Sequence, residues 1–157
     1  QQKDFITLLK AVKICKRKFQ LIILGKGKEY LNLKNFIDDN QLNRSVKIYG
    51  YKKNPFPYIK YSDVFVLSSL FEGSPNVLVE AQYLKKYIFS TSCPTGPKEI
   101  LKNGTYGDLY KIGDYKKLAY LLDNFRYTSR NKKKVADGYT NCLKYSHKIN
   151  CEKLSYF

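Results

Sequence analysis

Apolar positions recur along the chain with two alternating periods, one helical and one extended. From Asp4 to Lys18, Phe5, Leu8, Leu9, Val12 and Cys15 fall on one helical face. Asp4 is placed to cap the start of that helix. Phe19 to Leu24 is then a short, mostly apolar run that reads as a buried strand and ends in Gly25-Lys26-Gly27. A second helix is predicted through Phe36 and Ile37, with Leu31, Leu33 and Phe36 turned partly inward. Ser45 to Tyr49 forms a short strand closed by Gly50, and Pro57 to Tyr61 a short helix with proline near its first turn. Asp63 to Leu67 is apolar at nearly every position, the pattern of a strand covered on both faces. A loop over Ser68–Ser74, a helix from Pro75 to about Leu84 and a strand over Tyr87–Thr91 follow. The chain continues with a loop through Cys93–Pro97, a short helix from Lys98 to Leu101, a strand over Leu109–Ile112 and a helix from Asp114 to Phe125. The basic stretch from Thr128 to Phe157 is predicted helical.

Strands alternating with helices predict one α/β domain, a parallel sheet with helices on both faces. In such folds ligands sit beyond the carboxyl ends of the strands. That rule gathers Gly25-Lys26-Gly27, Gly50-Tyr51, Ser68–Ser74 and Ser92–Gly96 on one rim. Most of the unusual residues lie there.

Composition narrows the picture only in part. The chain has 157 residues, of which 43% are hydrophobic, enough for one domain with a real core. It begins at Gln1 and shows no leader pattern, which leads us to expect a fragment or a processed chain. Its apolar runs are too short to cross a bilayer. The formal net charge of +16, from 29 Lys+Arg against 13 Asp+Glu, suits an anionic partner: nucleic acid, a phosphorylated ligand or an acidic membrane surface. The plainer reading is a lysine-rich composition, because the lysines are spread along the whole chain. The 4 cysteines show no CxxC spacing and read as free thiols in a reducing cytoplasm. Cys142, His147 and Cys151 make at most three metal ligands, one short of a closed structural zinc site, and no metal is expected. Gly25-Lys26-Gly27 lacks the third glycine of a dinucleotide fingerprint, since Tyr30 stands there, so a nicotinamide-dependent oxidoreductase is rejected.

The chemistry concentrates between Phe71 and Ala81. Gly73 permits a tight backbone path. Pro75 can open a helix without wasting an amide. The helix start then offers free N–H groups to a phosphate. Glu80 lies one turn beyond Asn76, about 5–6 Å along the axis, where a carboxylate suits the two hydroxyls of a ribose. Glu72 precedes the helix and suits sugar hydroxyls. Two carboxylates flanking an anion site fit a nucleoside diphosphate sugar. Taken alone, the spacing also fits two surface acids. A retaining glycosidase pair would need both carboxylates facing one small gap.

The stretch from Ser68 to Ala81 resembles the E-x7-E signature of the family-four retaining glycosyltransferases, with Glu72 and Glu80 at the required spacing. Ser90 to Leu101 resembles the next segment of that pattern. Leu24-Gly25-Lys26-Gly27 resembles its glycine turn, and Gln2-Lys3-Asp4-Phe5 the start of its first helix. The likeness runs from about Lys3 to Phe125, with several matches in the right order. It implies a Rossmann-like parallel sheet forming the C-terminal, donor-binding half of a GT-B fold. An N-terminal acceptor domain would then be absent from residues 1–157.

The resemblance also implies roles. Glu72 would hold the donor sugar and Glu80 the ribose. Ser74 stands in the loop, and the amides near Pro75, Asn76 and Val77 would meet the diphosphate and sugar. Lys3 would pair with the diphosphate and steady the leaving group. Gly50 and Tyr51 would lie where the nucleobase is held, although Tyr51 reads equally well as a packing residue. In two places the chain departs from the pattern. No arginine precedes Lys3, because the chain starts at Gln1, and Leu84-Lys85-Lys86-Tyr87 replaces a turn of small residues.

The expected activity is retaining transfer of a hexosyl or N-acetylhexosaminyl group from a UDP or GDP sugar to a glycan or lipid-linked acceptor. No resident cofactor is expected. The isolated chain should bind the donor and transfer little. The expected location is cytoplasmic, with peripheral contact at the inner face of an anionic membrane. The alternatives are a non-catalytic nucleotide-sugar-binding subunit and a basic nucleic-acid-binding module. The second lacks an RNA-recognition signature, so no nucleic acid is expected.

Overall fold

The computed structural model describes residues 2–143. Its elements are α1 (Phe5–Ile14), β1 (Leu21–Leu24), α2 (Tyr30–Asp39), β2 (Val46–Gly50), α3 (Phe56–Lys60), β3 (Val64–Leu67), α4 (Asn76–Tyr83), β4 (Tyr87–Thr91), α5 (Pro97–Ile100), β5 (Asp108–Tyr110), α6 (Tyr115–Asn124) and α7 (Ser129–Leu143). A 3-10 turn over Lys102–Gly104 joins α5 to β5. The order matches the alternation predicted from the sequence.

All described strand pairs are parallel. β4 is central to a three-stranded sheet, with β3 on one side (Val66 opposite Phe89) and β5 on the other (Phe89 opposite Asp108). Every residue of β4 is buried. Alternation along the strand explains this. Tyr87 and Phe89 point into a core built with Leu8 and Ala11 of α1 and Leu118, Ala119 and Leu122 of α6. Ile88 points the other way, onto Leu78 and Ala81 of α4 and Ile59 of α3. Phe125 closes the first of these cores, its ring 4.9 Å from Tyr87 and 5.8 Å from Phe89.

β1 and β2 form a separate two-stranded piece (Leu21 opposite Val46), with Leu9, Val12, Ile23, Leu33, Ile37 and Val46 as its core. The single continuous sheet expected from the sequence is therefore divided. β1 and β3 share no ladder, and a cleft of about 1900 Å3 opens between them. The division explains two departures in burial. β3, expected to be covered on both faces, is fully buried only at Leu67. Ile22, expected inside, is 41% exposed. Leu31 is a further correction: it is 67% exposed, while Leu33 and Ile37 carry the inward face of α2.

The first helix stops four residues short of the expected Lys18. Its Asp4 cap is as expected, accepting from Thr7 N–H at 3.2 Å from a left-handed backbone (φ 39°). At the far end Asp123 draws the chain out of the helix, accepting from Lys16 N–H at 3.0 Å and Arg17 N–H at 2.9 Å. Arg17 also donates to the Phe125 carbonyl at 2.7 Å. The helical tail expected from Thr128 to Phe157 is seen as α7 as far as Leu143, and its remainder lies outside the described residues.

The Arg17 and Lys16 amides hold the Asp123 carboxyl below its ordinary range. A carboxyl with a depressed folded value contributes stability above its unfolded value, about pH 4. That contribution is lost as pH falls through the lower folded value. Asp123→Asn is therefore expected to lower the melting temperature at pH 7, and the gap from wild type should close between pH 4 and pH 2. Melts across that range check this; a gap that persists unchanged at pH 2 contradicts the ionic part of the cap.

Candidate functional site

The rim predicted from the sequence forms at the carboxyl ends of β1, β3 and β4, with the N-terminal segment laid across it. Leu70 N–H donates to the Gln2 carbonyl at 2.8 Å, and Gln2 Nε2 donates to the Phe71 carbonyl at 3.2 Å. Ser68 Oγ donates to the Lys3 carbonyl at 2.6 Å. These bonds bring Lys3 over the loop that follows β3. There Lys3 Nζ meets Glu72 Oε1 at 2.6 Å. The lysine side chain is 45% exposed and the glutamate side chain 7%. Lys3, expected on a diphosphate, thus rests on Glu72.

Glu72 is not a surface acid. It is buried, and Ser69 Oγ donates to the same Oε1 at 2.5 Å. The Glu72 carbonyl accepts from Thr95 Oγ1. The Ser69 carbonyl in turn accepts from Thr91 Oγ1 at 2.7 Å. The loops after β3 and β4 are therefore one hydrogen-bonded body. Gly96 lets them meet. Its φ is +79°, and an added Cβ would lie 2.5 Å from Pro75 Cδ and closer still to Gly73 O. The backbone freedom that the sequence suggested for Gly73 is required instead at Gly96.

Pro75 is the N-cap of α4, one position before the helical start expected for it, with φ −73°, ψ 91° and no side-chain cap bond. The first helical turn closes with Leu78 N–H on the Pro75 carbonyl at 2.9 Å. The amides of Asn76 and Val77 precede it, at the positive end of the helix. One turn further on, Glu80 is half-buried and lines the cleft between β1 and β3. Burial pushes its carboxyl pKa up.

The structure brings Lys3, Gly25, Gly27, Val77 and Glu80 to one cleft, with Glu72 anchored behind Lys3. It does not bring every expected residue there. Gly50 ends β2 with φ 69° and accepts from Gly25 N–H at 2.8 Å, which ties it to the glycine turn without lining the cleft. Tyr51 is 66% exposed, which argues against the packing reading and leaves its ring free. Ser74 and Asn76 are exposed at the mouth of α4. Ser69, Thr91, Thr95 and Gly96 were not singled out from the sequence. The one available signal was the S-x-x-E spacing of Ser69 and Glu72, a pattern that often marks a reciprocal hydrogen bond. Of the three residues considered as metal ligands, Cys142 is buried, while His147 and Cys151 lie outside the described residues.

Residues 1–136 match the model of the family described as "Glycosyl transferases group 1". The chain belongs to that family. It is 41% identical over 104 residues to an uncharacterized glycosyltransferase of Methanocaldococcus jannaschii, a match covering 64% of this chain and 26% of that protein. It is 35% identical over 106 residues to the amylovoran biosynthesis glycosyltransferase AmsD of Erwinia amylovora, covering 67% of this chain and 30% of that protein. The chain thus matches only about a quarter to a third of these relatives' lengths. Its fold superposes on Anabaena HepE in complex with UDP and glucose with a TM-score of 0.82 at 20% identity, over 99% of this chain and 46% of that one. The chain therefore has the Rossmann-like architecture of a GT-B fold domain.

Gly96→Ala is expected to separate the two loops. Left-handed strain and the clash with Gly73 and Pro75 together cost roughly 2–4 kcal/mol. A chemical denaturation curve reads that loss directly. Stability within 0.5 kcal/mol of wild type, about the level of an ordinary surface substitution, would show that the two loops do not depend on their close approach.

Proposed function

We infer that this chain is the donor-binding part of a retaining glycosyltransferase that takes a nucleoside diphosphate sugar. One observation carries the reading. A buried, anchored Glu72 and a half-buried Glu80 stand on either side of the α4 N-terminus, with Lys3 and the Gly25–Gly27 turn beside them. A diphosphate at the helix start would meet the Asn76 and Val77 amides and the positive helix end. The ribose would extend to Glu80 and the sugar to Glu72, with the base toward Gly50 and the exposed ring of Tyr51. During transfer, charge would build on the departing diphosphate. Lys3 and the helix amides are the groups placed to stabilise it. No protein nucleophile is assigned. The bound UDP and glucose of HepE support a uridine-type donor, with GDP as the alternative. The polymer named for AmsD supports polysaccharide or lipid-linked glycan assembly.

The intact pair of glutamates disfavours a non-catalytic subunit. Transfer itself would need an acceptor-binding domain, so the isolated chain should bind its donor and transfer little. The net charge of +16 further suggests peripheral contact with an anionic membrane at the cytoplasmic side, where each basic group near the surface contributes about 1 kcal/mol. No helix of the described residues is long and apolar enough to cross a membrane. In liposome sedimentation the chain should bind increasingly with anionic lipid and dissociate as salt rises. Equal retention on neutral vesicles would remove the electrostatic contact.

Titration of the 157-residue chain with UDP and GDP tests the donor site, and the glutamates divide it. Glu80→Gln should weaken nucleoside diphosphate binding by about 1.5–3 kcal/mol, the range for a charge-assisted hydrogen bond. The same variant should melt at or above the wild-type temperature at neutral pH. Because the folded-state pKa of Glu80 is raised, the charged form costs stability, and wild type should regain ground as pH falls into the carboxylate range. Glu72→Gln should leave free diphosphate binding nearly unchanged and weaken only sugar-bearing ligands. Equal losses for both variants toward free diphosphate contradict this division. No binding of any nucleotide contradicts the function.

A further inference from the structure

We propose that Ser69 is the positioning residue that keeps Glu72 aimed at the donor sugar when Lys3 turns to the diphosphate. The inference rests on the reading of Glu72 given above and adds a role to a side chain outside the helix start and the two glutamates. Glu72 has two carboxylate oxygens, and the described residues use them unequally. Lys3 Nζ and Ser69 Oγ both donate to Oε1, at 2.6 Å and 2.5 Å. No described donor reaches Oε2. Nor is Oε2 sealed away: the one buried side-chain polar atom without a partner among the described residues is Gln82 Oε1. The carboxylate is thus held by one oxygen and offers the other.

The two donors differ in how firmly they are fixed. Lys3 is 45% exposed and reaches Glu72 at the end of a flexible four-carbon stem. An anionic diphosphate at the α4 N-terminus would compete for its charge. Ser69 is 0% exposed, with a short side chain. Its backbone is pinned by Thr91 Oγ1 on its carbonyl, and Thr91 belongs to the fully buried β4. Ser69 cannot follow Lys3. The neighbouring Ser68 holds the Lys3 carbonyl at 2.6 Å, so the lysine backbone stays while its ammonium is free to change partner. A carboxylate held only by Lys3 would lose its aim at the moment of donor binding. Held by Ser69 as well, it keeps its orientation and leaves Oε2 without a protein partner among the described residues.

The test is calorimetry on the 157-residue chain with UDP-glucose, UDP-galactose, UDP-N-acetylglucosamine and GDP-mannose, each against its free UDP or GDP. The quantity read is the preference for the sugar-bearing ligand. Ser69→Ala should change affinity for the free diphosphate by less than about twofold and lower the preference by roughly tenfold, as expected for losing a hydrogen bond to a charged group. In a Glu72→Gln background the same change should lower the preference by less than about twofold, because Ser69 acts through Glu72. A purely structural serine would instead weaken both ligand types together, or its loss would add to that of Glu72→Gln; either result overturns the proposal. A wild-type chain with no preference for any sugar-bearing ligand overturns the reading of Glu72 and this proposal with it. A preference that survives Ser69→Ala overturns this proposal alone. Should Ser69→Ala show no cooperative melt, Ser69→Cys keeps a group of similar size with a weaker donor. An intermediate loss of preference supports the role, and an unchanged preference overturns it.

Discussion

A carboxylate taken out of water must be met by charge or by hydrogen bonds, and at Glu72 that requirement organises the whole rim. Glu72 is only 8% exposed. Lys3 comes from the N-terminal segment and Ser69 from the end of β3, so one acid ties together parts of the chain 69 residues apart. The tie is weak evidence for stability. Removing two charges from water costs about what their attraction returns, and apolar replacements of buried pairs are often as stable. What the arrangement provides is direction. It fixes a carboxyl oxygen at a known place just before a helix N-terminus, the kind of defined geometry that an oriented ligand requires.

The same economy runs through the loops behind it. Thr95 on the Glu72 carbonyl and Thr91 on the Ser69 carbonyl give buried backbone oxygens the partners they need. Both threonines belong to β4 or the loop after it. The rim is therefore supported by the strand with the least freedom in the fold, buried along its length between two hydrophobic cores. β1 has no such backing on the side facing β3. The glycine turn that follows it shares a cleft with Glu80 of α4. The end of the rim that carries Glu72 is backed by β4, and the end facing β1 is open.

Most of this fold was legible because its strands are short apolar runs separated by helices with a clear stripe. β4 and the Asp4 cap lay where the sequence put them, and the helix expected from Asp114 begins one residue later, with Asp114 as its cap. The misses have physical causes. The stripe of α1 runs on to Cys15, but the Lys16 and Arg17 amides find a better acceptor in Asp123, a residue more than a hundred positions away that no local pattern reveals. Ile22 and Leu31 are apolar where the fold leaves them exposed, because hydrophobicity reports what a residue tolerates and not what covers it. In the site, the glutamate spacing marked the chemistry. It did not show that Glu72 is buried, that Lys3 rests on it, or that the glycine under constraint is Gly96. Each of those depends on contacts between separate loops.

Glu80 shows what the site costs the fold. It is half-buried on an apolar cleft, burial raises its pKa, and no described side chain donates to it or pairs with it. A carboxylate in that position lowers stability at neutral pH, and a glutamine or leucine would remove the penalty. Glu72 is the opposite case, more deeply buried and doubly partnered. The partners of Glu72 are what burial of a carboxylate demands; the half-buried Glu80, with no described side-chain partner, is the acid that the fold alone does not explain. The contrast follows if each acid awaits a different part of one ligand. Glu72 must be aimed before the ligand arrives and so is held by the protein. Glu80 can accept two vicinal hydroxyls at once, and any protein donor placed on it would have to be displaced first. The unpaired carboxylate is then the state from which binding gains most.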